Sequence, residues 1–255
     1  MTESALLKRP IATVVALEVF FVALFVGGGR LLATRLPGMP AFSTAGVSHA
    51  FLLACVNALL VAALITYLRW WPAAGFTPPS RWRDLHLYLL PGVLVFAPFI
   101  KGVKTLPVGT FAFLLVGYLI SCVFEEGLFR GVLPVVLRSL GLWRAVLISS
   151  LLFGLIHLGN QAVRGVSFLI VLQAIGAAVQ GIGYLALRLR TDMIWLLILI
   201  HAAHDVTLEM GHLPIAAVEA PIDIVIAIYG VVLLRNRGHE LLPAPTPATG
   251  ELVPA

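Results

Sequence analysis

The chain is patterned in long blocks. Apolar stretches follow one another at 11–29, 48–68, 86–100, 107–137, 143–159, 165–187, 193–211 and 214–234, and the breaks between them collect Arg, Lys, Pro and Gly. A helix needs about 20 apolar residues to cross a hydrocarbon core of roughly 30 Å, so the pattern predicts about eight membrane-spanning helices. The alternation of apolar and polar residues that a lipid-facing barrel with a wet lumen imposes is missing from these blocks. The third is short and interrupted by Pro91 and Pro98, so it is expected to kink, tilt or insert only in part. The fourth is too long for one straight span, and its excess is expected to run on as helix into the cytosolic headgroup layer. The fold expected is therefore all-α, a polytopic transmembrane helix bundle. Residues 1–237 read as a single transmembrane domain, and the Pro-, Ala- and Thr-rich 238–255 as a disordered cytosolic tail. Residues 69–85 mix Trp70, Trp71 and Trp82 with arginines and prolines, which suits headgroup depth. No internal repeat of the kind that builds two-half transporters stands out.

Composition sharpens this reading. Hydrophobic residues make up 60% of the 255 and charged residues 11%, against about 25% charged in soluble domains. That is too little charge to coat a water-soluble globule. The net charge of +5 comes from 17 basic residues dispersed between the blocks, which excludes a nucleic-acid partner and suits topology signals. With the N-terminus inside, the inner side holds Lys8, Arg9, Arg69, Arg81, Arg83, Arg138, Arg144, Arg188, Arg190, Arg235 and Arg237. The outer side holds Arg30, Arg35, Lys101, Lys104 and Arg164, and Arg130 lies within a span. This bias predicts both termini in the cytosol; the expected location is a bacterial cytoplasmic membrane, with the chain integral to it. The first block is too long for a removed signal peptide, and no small-residue cleavage site follows it. Cys55 and Cys122 sit inside apolar blocks without CxxC spacing and read as small packed residues.

Ionisable groups inside spans are costly, about 2.5–3.5 kcal/mol each at mid-membrane, so they mark function. Three clusters stand out: Glu125-Glu126-Gly127-Leu128-Phe129-Arg130, then Phe153 through His157 to Asn160, then His201-Ala202-Ala203-His204-Asp205. Glu126 and Arg130 are one turn apart and can pair, whereas Glu125 points about 100° away. One carboxylate is thus expected to be held by Arg130 and the other left free for chemistry. His201 and Asp205 stack on one face with His204 beside them, and His157 and Asn160 share a face. Convergence of these helices would make a polar intramembrane cavity. Two chemistries remain open for it: a water activated by carboxylate and imidazole with an oxyanion stabiliser, or a metal site assembled across helices with an open position. Neither HExxH nor GxSxG is present. Elsewhere, Glu18 and Asp223 read as interhelical or water-facing groups, and Glu209 and His212 as solvated. His49, His86 and His239 read as interfacial or exposed, and Trp143 and Trp195 as headgroup anchors.

The order EExxxR, FxxxH and HxxxD or HxxxN on successive spans resembles the CAAX-protease and bacteriocin-processing family of intramembrane endopeptidases, also called the Abi family. The residues are Glu125-Glu126-xxx-Arg130, Phe153-xxx-His157 and His201-xxx-Asp205, with Arg83-Asp84-Leu85 as the lead-in. The likeness covers roughly 75–211, a protease-like core with its motifs within 121–205. It implies an all-helical membrane protease with a polar cavity reached from the cytosol, acting on a membrane-associated or lipidated peptide or protein. By this resemblance, Glu125 and His157 position and deprotonate the attacking water. His201 and Asp205 line the oxyanion side or hold a metal, and Glu126 and Arg130 support the site. Were a divalent metal such as zinc bound, His157, His201 and Asp205 would be its ligands. An ionised Asp205 cannot donate a hydrogen bond to an oxyanion, so it must be protonated, orient His201 or bind a cation. The rival reading is a non-enzymatic transporter, or a scaffold or immunity protein on the same fold. The lipid bilayer and the substrate are the partners implied; the sequence carries no mark of oligomeric state.

Overall fold

In the computed structural model the described residues are 3–79, 82–161, 165, 167–235 and 242. Arg81, Arg164, Arg237, His239 and all of the tail but Leu242 lie outside them, and Leu242 is buried. The helices are α1 (Glu3–Lys8), α2 (Pro10–Arg35), α3 (His49–Leu68), α4 (Leu89–Leu94), α5 (Val108–Glu126), α6 (Leu133–Leu137), α7 (Leu142–His157), α8 (Phe168–Thr191), α9 (Trp195–Met210) and α10 (Ile215–Leu234). Short 3₁₀ turns, Trp82–Tyr88 and Ala97–Lys101, flank α4, so the proline-interrupted third block is a broken segment. Local chemistry sets several boundaries. Pro10 opens α2 where its missing N–H costs nothing. The Ser48 hydroxyl caps α3 by accepting from the Phe51 N–H, and left-handed Arg69 ends it.

The bundle is apolar on its outside. Leu59, Tyr67, Ile100 and Phe168 are each more than two-thirds exposed, a surface suited to acyl chains and not to water. Seven segments of the described residues are long and apolar enough to cross a membrane. The chain is an integral membrane protein. The expected seventh block is α9, only 16 residues long, or about 24 Å. Its neighbours reach inward to meet it: the Ile194 N–H before its first turn donates to Gly75 O, and Gly211 after its last bridges to Val103.

Contacts fix the direction of each helix. Gly28 of α2 abuts Leu53 of α3, and Leu36 O meets the His49 ring, so these two run antiparallel. Phe51 stacks on Phe113 while Val61 lies over Gly127, so α3 and the α5 segment run parallel. α7 and α8 are antiparallel through the pairs Gly154–Ala178 and Ser150–Gly181, whereas Gly176–Asp223 and Gly183–Ile226 make α8 and α10 parallel. α9 then runs opposite to both and packs antiparallel against α5. Added Cβ atoms at Gly154 and Gly183 would strike backbone carbonyls of the facing helix; small residues at these crossings permit the close approach that membrane helices use in place of a hydrophobic drive.

Two expectations are corrected here. Trp70 is fully buried and does not face headgroups, although Trp82 stays 68% exposed. His49 is buried against the Leu36 carbonyl and neither interfacial nor exposed. Arg188 is 1% exposed. It donates to Ala73 O and Ala74 O and pairs with Asp192 at 2.8 Å, pinning the turn before Gly75. A basic residue at a span end finds carbonyls more cheaply than open water when the loop folds over it.

Candidate active site

The EExxxR cluster sits where α5 changes register. Residues Gly127–Val132 form a π-helical turn between α5 and α6, a feature that recurs at functional sites. The cause is local. The Leu133 N–H bonds back to Leu128 O, five residues away, and Pro134 has no N–H to give. The Phe129 carbonyl is therefore left over, and the Ser149 hydroxyl of α7 takes it. One proline thus ties the helix of the carboxylates to the helix that carries His157.

On the wider turn, Glu126 and Arg130 are both buried and pair at 3.1 Å, off-axis for a hydrogen bond. Arg130 also lies 3.8 Å over the Phe153 ring, a cation–π contact in a dry setting. The Nδ1–H of His201 donates to Glu126 Oε1 at 2.7 Å; a carboxylate only accepts, so the proton belongs to Nδ1. Nε2 then faces Glu125 Oε2 at 3.8 Å and Asp205 Oδ2 at 4.0 Å. Glu125 itself accepts from Ser121 at 3.0 Å. His157 Nδ1 donates to Phe153 O at 2.7 Å, and the same logic leaves its Nε2 as a lone-pair acceptor.

A cavity of about 810 Å³ joins these groups. Glu125, His157, His201 and Asp205 line it together with Asn160, while Glu126 and Arg130 lie behind its wall. His204 is buried and does not line it. Glu209 is tied by Tyr118 at 3.0 Å and lines the cavity. Asp223 lines the cavity too, while Glu18 is buried with no hydrogen-bond partner among the described residues.

The residue missed in the sequence is Cys122. Its thiol reaches Asp205 Oδ2 at 4.0 Å, and ligand atoms of Cys122, His201 and Asp205 all lie within 4.8 Å of one another. His157 is not in that group. The signal was faint: Cys122 is one turn before Glu126, but its pairing with α9 needs the antiparallel register of two distant helices. A thiol, an imidazole and a carboxylate form a donor set that suits zinc.

Fold and site together define a polytopic helical membrane protein with a carboxylate–imidazole chamber between its spans. Residues 107–207 match the family Rce1-like, described as type II CAAX prenyl endopeptidase Rce1-like. That stretch holds all three motifs. No curated protein and no solved structure matches the chain.

Proposed function

We propose that this protein is an intramembrane endopeptidase that hydrolyses a peptide bond of a membrane-associated or lipidated substrate. The observation that carries it is the meeting of Glu125, His157, His201 and Asp205, from three separate helices, on one cavity wall. Water between Glu125 and the His157 Nε2 lone pair would lose a proton as its oxygen attacks the carbonyl carbon. The proton is returned to the departing amine as the C–N bond breaks. With its Nδ1–H held by Glu126, His201 would need a second proton, on Nε2, to donate to the developing oxyanion. A divalent cation held by Cys122, His201 and Asp205 would supply Lewis-acid polarisation when bound. The aromatic lining, Phe21, Phe25, Phe42, Phe51 and Phe113, suits an apolar chain beside the scissile bond.

Purified protein in proteoliposomes is expected to cleave a membrane-tethered peptide. Glu125→Gln and His157→Ala should each lower the rate by about 10²–10⁴-fold, the usual worth of a general base, with unchanged thermal unfolding. Undiminished cleavage in both would remove the proteolytic reading, and substrate flux without cleavage would favour a transporter.

A further inference from the structure

The chamber has a mouth and a blind end, and they lie on opposite sides of the bundle. Its lining takes in Phe42 and Thr44 of the α2–α3 connection, Asn160 after α7, Leu169 at the start of α8, and Pro214 before α10. By the helix directions given above, all of these lie at the end away from the start of α2 and the finish of α10. Phe42, Pro214 and Ile215 are exposed there, so the lining reaches the molecular surface. At the other end, Phe129, Leu133, Leu137 and Trp70 are at most 1% exposed, and Arg188 clamps the Ala73–Ala74 carbonyls across the bundle. None of these lines the cavity.

The basic residues mark which side is which. Among the described residues, Lys8, Arg9, Arg69, Arg83, Arg138, Arg144, Arg188, Arg190 and Arg235 belong to the blind end. Only Arg30, Arg35, Lys101 and Lys104 belong to the mouth. Short loops rich in Lys and Arg stay in the cytosol.

We infer that the chamber opens to the extracytoplasmic face, so that its substrates are membrane-anchored peptides whose cleavage segment lies outside the cytosol. This rests on the endopeptidase reading for its substrate half only. It departs from the cytosolic access that the sequence resemblance implied, because in this fold the start of α2 and the finish of α10 lie at the end opposite the mouth.

The test uses the full chain with Cys55→Ala and a single added thiol, in spheroplasts of an expressing bacterium. Ala45→Cys, exposed in the α2–α3 connection, is expected to react with a membrane-impermeant maleimide on intact spheroplasts. Ser139→Cys, exposed at the blind end, should react only after permeabilisation. Any other pattern overturns the sidedness. In proteoliposomes sorted by the same labelling, a tethered peptide should be cut only when its segment lies on the Ala45 side. Cutting on the Ser139 side overturns the inference. Correct labelling with no cleavage from either side would instead remove the endopeptidase reading, leaving the orientation standing.

Discussion

At the scale of single residues, the site depends on two imidazoles whose protons are assigned by acceptors behind them. Glu126 takes one from His201 and the Phe153 carbonyl takes the other from His157. Removing an acceptor should change the tautomer before it changes the fold. Breaking one side of the buried Glu126–Arg130 pair leaves a stranded charge, so Glu126→Ala is expected to cost about 3–5 kcal/mol in unfolding free energy. The double change Glu126→Leu with Arg130→Met should restore much of that stability and none of the cleavage; a double variant as unstable as the single would refute the pairing argument. Cys122 gives a third check. Protein exposed to zinc and then desalted should keep bound metal, and Cys122→Ser or Asp205→Asn should lose it, as read by elemental analysis. Retention in both variants would remove Cys122 and Asp205 as ligands. In the sequence, spacing alone separated the roles of Glu125 and Glu126, because a helix turns about 100° per residue. Cys122 was hidden because the thiol is apolar enough to pass as core.

At the scale of elements, the π turn is where local chemistry becomes tertiary structure. Ser149→Ala should leave the Phe129 carbonyl buried without a donor and cost about 1–3 kcal/mol. Pro134→Ala supplies a backbone N–H nearby, so the double variant should lose less than the sum of the two, as thermal unfolding would reveal. Strict additivity would deny that the two residues share one carbonyl. The helix crossings invite a coarser test. Gly183→Val drives side-chain atoms into Ile226 of α10 and should abolish folded protein, or shift its melting steeply, because the Ile226 carbonyl it meets is backbone and cannot yield. The long apolar blocks made the helices easy to read, including the broken third segment. The buried settings of Trp70 and Arg188 were not, since they are fixed by loops that fold back into the bundle and leave no periodic trace.

At the scale of the whole molecule, hydropathy foretold a bundle and the charged motifs foretold a wet interior; neither said where the water enters. That needed the parallel run of α8 and α10 and the pairings of Glu126 with His201 and Tyr118 with Glu209. The positive-inside count was legible early, but it became a statement about access only once the chamber had two distinguishable ends. One practical consequence concerns the start of α2 and the finish of α10, both on the sealed pole. An affinity handle or a fluorescent fusion joined directly to the start of α2 or the finish of α10 would begin at the pole away from the mouth. Such additions should be silent in a cleavage assay, whereas an antibody fragment raised against the α2–α3 connection should act as a stopper.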